Sequence, residues 1–237
     1  MMVHSAQTEA WIGMEIGNRI GVSLKRISQS YDYSIPTVVI TEVVVGNDLL
    51  AFKNPTKPIG RSYTSKEVER LRSNGFHVSR LIHGYRRVVP SPNPKKIIQT
   101  DLIKYLLRGK RIVIACGGGG IPLVDKNSKL RYVDAVIDKD RASGLLAKEI
   151  GAGRLIILTN VDGAYINFGK KNQERLGKTK VAQMEKYLDL GFFEEGSMKP
   201  KVESCIDFVK ATGKRAEIGD MSDPLGVISN RHTVIVP

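Results

Sequence analysis

Ile112–Val124 reads IVIACGGGGIPLV, a β-branched apolar run that enters four consecutive glycines, Gly117 to Gly120, and leaves them in a second apolar run. Glycine loses more backbone freedom on folding than any other residue, and a plain turn needs only one or two. The run ends a predicted buried strand, and open α/β sheets bind ligands beyond their strand ends. Four residues without side chains can turn several backbone N–H groups inward to form a concave anion nest. The nest is not one of the common nucleotide loops. No GxxxxGK[ST] occurs, and Gly117–Pro122 continues into a strand rather than into the helix that a GxGxxG turn requires.

Outward from this stretch, the sequence alternates helical and strand patterns. Ile12, Ile16 and Ile20 recur at i, i+4 and i+8, with Trp11 and Met14 beside them, and predict an opening helix whose apolar stripe faces a core. Pro36–Val45 (PTVVITEVVV) predicts a strand closed by Gly46-Asn47-Asp48, and residues 49–63, with Pro55 and Pro58, read as loop. Thr64-x-x-Glu67 is a capping box for a helix that Gly75 ends. Arg87–Pro94 (RVVPSPNP) reads as an extended connector, because proline excludes a helix and a central strand. A helix over Gln99–Leu107, a strand over Arg111–Ala115 and a hairpin of Ile121–Val124 with Arg131–Ile137 follow. Asp140 caps a helix to Ile150, Arg154–Thr159 is a strand, and Asn160–Gly163 (NVDG) is a tight turn. Helices over Val181–Leu190 and Pro200–Lys210 and a strand over Thr233–Val236 complete the chain. This alternation implies an α/β fold, a mainly parallel sheet covered by helices on both faces.

At 237 residues the chain suffices for one substantial core, and 41% apolar with 26% charged residues is an ordinary globular composition. No apolar run approaches the length that spans a bilayer, so the expectation is a cytoplasmic protein that engages no membrane. Cys116 and Cys205 form no CxxC pair, and His4, His77, His83 and His232 have no metal-ligand spacing, so no protein-held metal is assigned. The net charge of +13 suits either nucleic acid or anionic small molecules. The basic stretch Arg70–Lys96 contains Phe76 and Tyr85, but elsewhere basic and acidic residues intermix and no nucleic-acid-binding motif occurs. Small-molecule anions are therefore the expected partners, and nucleic acid is not.

Lys201 lies in PKVESCIDFVKA, where Pro200 suits the first helical position and puts the lysine in the first turn. A lysine at the positive end of the macrodipole is unfavourable by some tenths of a kcal/mol up to about 1, unless it reaches water or shares an anion with the helix end. Lys139 stands between two carboxylates in Asp138-Lys139-Asp140, as a surface ion pair or a phosphate ligand, and Lys57 stands between prolines that restrict its backbone. Three lysines, a glycine nest and an Asp-Gly turn after a buried strand together suggest phosphoryl transfer, which needs positioning and positive charge above all.

Six blocks, AFKNPTKPIG, GYRRVVPSPNPK, IVIACGGGGIP, AVIDKD, LIILTNVDGAYINFG and GSMKPKV, occur in the order and spacing of carbamate kinases, so nearly the whole chain resembles that branch of the amino acid kinase family. The resemblance implies a three-layer αβα sandwich, a single domain over residues 1–237 with a small protruding subdomain within 46–94, and a homodimer. It implies reversible phosphoryl transfer from ATP to carbamate, giving ADP and carbamoyl phosphate, with Mg²⁺ held mainly by the nucleotide phosphates, commonly in arginine catabolism and ATP synthesis. By the same resemblance Lys57 reaches toward the acceptor and Lys139 and Lys201 flank the phosphates. Asp140 orients these lysines, Gly117, Gly118, Gly119 and Gly120 meet the acceptor or phosphoryl oxygens, and Asp162, Gly163, Tyr165, Asn167, Met198 and Pro200 hold the nucleotide. Lys139 and Lys201 are expected to face a solvated cleft, so that their loss barely affects folding.

Departures from the pattern are also visible. Asn160 stands where an aspartate is common, and MSDPLGVISNRHTVIVP is shorter and less familiar than the usual ending. A strand ending in a GGNA-like turn and a GNGPQVG-like loop have no counterpart, so an upstream segment of roughly 60–80 residues, about two βαβ units, is expected to precede Met1. Without it the 237 residues are expected to form half a phosphate site and not to turn over carbamate. A related kinase for another small acid, or a catalytically dead kinase-like binding protein, are the alternative readings.

Overall fold

The computed structural model describes residues 2–27, 36–46, 49–81, 84–227 and 231–237. The chain divides into two compact units, the first ending at Lys139 and the second starting at Asp140.

In the first unit, α1 (Met2–Ile27) is followed by β1 (Thr37–Val38), β2 (Glu42–Val45), α2 (Leu49–Lys53), β3 (Lys57–Tyr63), α3 (Ser65–Ser73), β4 (Val78–Leu81) and β5 (Gly84–Val89). Then come β6 (Pro94–Ile97), α4 (Thr100–Arg108), β7 (Val113–Ile114), β8 (Ile121–Lys126) and β9 (Lys129–Tyr132). Two parallel pairings, β1 with β7 and β2 with β8, place the apolar runs on either side of the glycines beside the strand predicted over Pro36–Val45. β6 and β9 add antiparallel edges, giving the order β6-β2-β8-β9.

The opening helix forms, but a different face is buried. Glu9, Gly13, Gly17 and Gly21 point inward, while Trp11, Ile12, Met14 and Ile16 are exposed. The reason is close approach: a Cβ on Gly13 would lie 2.6 Å from a Val38 methyl, so only a glycine face lets α1 rest on β1. The predicted Gly46-Asn47-Asp48 turn falls on Asn47 and Asp48, which lie outside the described residues, as does His83.

Residues 49–63 are not loop, since α2 and β3 occupy most of them. β3 pairs antiparallel with β5, and β5 with β4, in a separate three-stranded sheet of order β3-β5-β4. Pro58 is tolerated because β3 is an edge strand, and the register shift between Ile59 and Tyr63 spans Gly60 at φ +67°. The capping box is present: Glu67 accepts from both the Thr64 N–H (2.8 Å) and the Thr64 hydroxyl (2.9 Å). The predicted hairpin forms with a shorter second arm, β9 ending at Tyr132.

In the second unit, α5 (Lys139–Glu149) has its first residue at the boundary. β10 (Leu155–Thr159), β11 (Tyr165–Ile166), β12 (Glu174–Arg175), β13 (Lys178–Lys180), α6 (Val181–Asp189), α7 (Met198–Thr212), β14 (Ala216–Asp220) and β15 (Thr233–Val236) follow. The sheet order is β10-β14-β15-β13, with β10 parallel to β14 and β15 antiparallel to it. Leu155, Ile157, Ala216, Ile218 and Ile235 point to one face, where they form a core with Val202, Cys205, Phe208 and Val209 of α7. β14 was invisible to the sequence pattern, because AEIGD carries a carboxylate and a glycine among its buried positions. The α/β class read from the sequence is that of the structure, and its parallel pairings sit beside antiparallel ones, at the edges of the first unit's sheet and in the middle of the second's.

Candidate functional site

The glycine run has a steric explanation first. Cys116 (φ +58°), Gly118 (φ +68°), Gly119 (φ +101°) and Gly120 (φ +83°) all lie in the left-handed half of backbone space, which side chains disfavour. A Cβ on Gly119 would sit 2.2 Å from the Ile137 carbonyl oxygen, and one on Gly120 2.6 Å from a Val43 methyl. Glycine is thus required for the chain to turn between β7 and β8 beneath the segment that leads to Asp138.

The four N–H groups do not all turn inward. Gly119 N–H donates to the Cys116 carbonyl (2.9 Å) and Gly120 N–H to that of Gly117 (3.3 Å), so two are used within the turn. A Cβ at Gly118 would meet nothing within 4 Å, and among the described residues its N–H has no protein acceptor. Of the several inward donors expected of the run, those of Gly119 and Gly120 are thus used within the turn, and Gly118 stands open.

Behind the turn lies a cluster the sequence reading missed. Glu9, buried on α1, accepts from the Thr41 hydroxyl (2.6 Å), and Thr41 Oγ1 accepts from the Cys116 N–H (2.8 Å). Burial pushes the Glu9 carboxyl above its ordinary value, against the opposing pull of the Thr41 hydroxyl and of the Thr41, Gly117 and Cys116 backbone. A glutamate inside the predicted helix was the only available signal. Its partner is 32 positions away.

The Asp138-Lys139-Asp140 segment separates its three side chains. Asp138 is buried and pairs with Lys57 from β3 within the first unit. Lys139 is exposed at the first residue of α5. In the second unit Asp140 accepts from Lys201 Nζ at 2.7 Å, with side chains only 10% and 11% exposed. Lys201 therefore does not stand in open solvent, a correction to the expectation that its loss barely affects folding. The helix begins at Met198, two residues before Pro200, which takes a first-turn position where no intrahelical N–H is needed. Lys201 remains in that turn.

Helix α5 approaches α7 closely enough for this pair because Gly144 faces Ser204: an added Cβ would lie 3.1 Å from the Ser204 Cβ. Ser204 in turn donates to the Pro200 carbonyl at 2.7 Å. Cys205, beside them, is fully buried, and burial first and Asp140 second push its thiol far up, so it is no nucleophile.

The Asn160–Gly163 turn leads to a second polar group in the same unit. Tyr165 donates to Asp162 Oδ1 (2.7 Å), which holds the phenol above its ordinary range, and Arg175 Nε lies 3.5 Å from Asp162 Oδ2. Gly163 is needed because a Cβ there would be 2.6 Å from Thr233 Oγ1, which accepts from the Ala164 N–H (2.8 Å). Asn167 takes a left-handed conformation (φ +53°), Tyr165 packs at 5.5 Å against Phe168, and Met198 packs on the core. Arg175 and Thr233 were not singled out in the sequence, since their partners Asp162 and Ala164 lie in and just after the turn, not beside them along the chain.

Among the described residues no three His, Cys, Asp or Glu side chains form a metal-binding group. Asp138 and Asp140 each hold a lysine, so the donors are predominantly cationic and suit phosphate oxygens rather than a divalent ion. Among the described residues no helix is long and apolar enough to cross a membrane.

Residues 59–220 match the model of the amino acid kinase family. The carbamate kinase of Thermoplasma acidophilum is 47% identical over 198 residues, 84% of this chain and 65% of the relative. That of Thermoplasma volcanium is 43% identical over 233 residues, 98% of this chain and 75% of the relative. Among solved structures, carbamate kinase from Giardia lamblia bound to AMP-PNP superposes with a TM-score of 0.82 at 34% identity, covering 99% of this chain and 75% of that one. The chain thus spans about two thirds to three quarters of the length of these relatives.

Proposed function

The chain belongs to the amino acid kinase family, among its carbamate kinases, and from that premise we propose that its residues serve reversible phosphoryl transfer between ATP and carbamate, giving ADP and carbamoyl phosphate. The observation that carries this reading is the buried Asp140–Lys201 pair at the first turn of α7. An ammonium fixed beside a helix N-terminus is a ready anion site, and phosphoryl transfer depends mainly on such fixed positive charge.

Carbamate is already an anion, so the reaction needs no general base. The obstacle is repulsion between that anion and the nucleotide phosphates. Lys201 and exposed Lys139 address the phosphates, with Asp140 as a positioning residue. Lys57, oriented by Asp138, and the open N–H of Gly118 address the acceptor. Asp162, Gly163, Tyr165, Asn167, Met198 and Pro200 line the nucleotide side. Mg²⁺ would ride on the nucleotide oxygens and neutralise part of their charge.

Within the same proposal, residues 46–94, which contain the three-stranded sheet β3-β5-β4, form a protruding subdomain of a single-domain enzyme. Exposed Trp11, Ile12 and Met14 on α1 support a homodimer. A cytoplasmic role in arginine catabolism with ATP synthesis completes the reading.

Calorimetric titration with ADP tests it. Saturable binding is expected, weakened at least about tenfold by Lys201→Ala, as loss of a charged phosphate donor implies. ADP binding that ignores that change would overturn the assignment. ATP formation from ADP with carbamoyl phosphate, but not with acetyl phosphate, would identify the acceptor and overturn the expectation that these 237 residues do not turn over carbamate.

A further inference from the structure

The second unit buries a carboxylate that phosphoryl transfer does not use. Glu217, 1% exposed in the middle of the sheet, accepts from Arg154 through both oxygens, each at 2.5 Å. Arg215 Nε lies 3.0 Å from Oε1, and His232 Nε2 lies 2.8 Å from Oε2. Strand alternation explains the placement: Ile156, Glu217, Val234 and Lys178 are in register across the sheet. They point away from the face that packs on α7, since their strand neighbours Leu155, Ala216 and Ile235 form that core.

On this outer face Arg154, Lys178, Arg215, Glu217 and His232 line a cavity of about 720 Å³ together with Val234 and Val236. One bidentate arginine already neutralises Glu217. Arg154, Lys178 and Arg215 against that single carboxylate give 3 − 1 = +2 around the cavity. Arg215 approaches Glu217 through Nε, and among the described residues its terminal nitrogens make no hydrogen bond. His232 is 3% exposed and lines the cavity, yet neither ring nitrogen makes an aligned hydrogen bond among the described residues, despite the short approach of Nε2 to Glu217. A buried imidazole whose close contact with Glu217 is not an aligned hydrogen bond, together with an excess of two positive charges, calls for a further acceptor.

We propose that this face is a second anion site, taking a phosphate-type dianion between the terminal nitrogens of Arg215, Lys178 and the His232 imidazole, with Arg154 fixed by Glu217 as its rigid wall. Planar guanidinium donors match phosphate oxygens two at a time, and the two valines accommodate the organic part of a phosphomonoester.

The test uses the imidazole signals of His232, assigned with His232→Gln, in ¹H–¹⁵N spectra of the whole chain. These report locally, so phosphate bound elsewhere does not register. Inorganic phosphate and ribose 5-phosphate are titrated separately, and the tighter probe shows whether the site takes the free ion or an ester. A saturable shift with Kd on the order of 1 mM or below is expected. Lys178→Ala with Arg215→Ala should raise Kd at least about tenfold, and Arg215→Lys, which keeps the charge but loses the planar two-oxygen match, should weaken binding by less than the double variant does. Both changes are at solvent-exposed side chains, and an unchanged backbone spectrum in the α7 core verifies the fold. No saturable shift with either probe, or undiminished binding in the folded double variant, would overturn the proposal.

Discussion

Replacing Lys201 by methionine removes an ammonium whose carboxylate partner cannot escape to water. The Asp140 and Lys201 side chains are 10% and 11% exposed and 2.7 Å apart, in the close contact between α5 and α7 that Gly144 permits. Removing one member of a buried pair costs about 3–5 kcal/mol, because the remaining buried charge loses its counter-ion. For a chain of this size each kcal/mol lowers Tm by roughly 2–4 °C, so Lys201→Met should melt about 6–20 °C lower. That is a large share of a total stability of about 5–15 kcal/mol. Adding Asp140→Asn removes the buried charge that has lost its lysine and should recover about 2 kcal/mol or more in a double-mutant cycle. Lys139→Met, at an exposed side chain, should change stability by less than about 0.5 kcal/mol. Urea unfolding followed by circular dichroism measures all of these variants. The reasoning fails if Lys201→Met lies within about 1 kcal/mol of the parent, or if the double variant shows no coupling. If Lys139 and Lys201 have the phosphate roles proposed, both substitutions weaken ADP binding, and only one weakens the fold.

Glu9→Gln keeps an acceptor for the Thr41 hydroxyl but removes a carboxyl that burial holds above its ordinary value. Raising the pH through 4.5 ionises the unfolded chain's carboxyl first, so wild-type stability falls from there up to the folded value, and Glu9→Gln should melt higher at neutral pH. The gap should close below pH 4.5, and an equal or lower Tm for Glu9→Gln at pH 7 would refute the assignment. Gly119→Ala and Gly118→Ala separate sterics from backbone preference: a left-handed alanine costs about 1–2 kcal/mol at either. Only at Gly119 does the new Cβ meet the Ile137 carbonyl, at 2.2 Å. Gly119→Ala should therefore lose about 3 kcal/mol or more in urea unfolding, with overpacking added to strain. Equal losses at the two positions would mean that the turn relaxes.

The sequence by itself determined the features that are local or that a motif carries in order. The α/β alternation, the Thr64–Glu67 capping box, the strands on either side of the glycines and the first-turn position of Lys201 all follow from spacing along the chain. So does membership of the family, because six blocks in order are a property of the sequence. Tertiary structure decided which groups face each other. The partner of Lys201 is 61 residues away, that of Lys57 is 81, and that of Arg154 is 63. Periodicity carries no information about such pairs. It also assigned α1 the wrong face, since hydrophobicity predicts burial only where space allows a side chain, and close approach to Val38 leaves room for glycine alone. β14 was hidden for the complementary reason: Glu217 is a buried carboxylate on the other face of the sheet, made tolerable by Arg154 from 63 residues away as well as by nearby Arg215. The glycine run unites both lessons. Its composition announced an unusual turn, and the backbone above it, the carbonyl of Ile137, determined why no other residue fits.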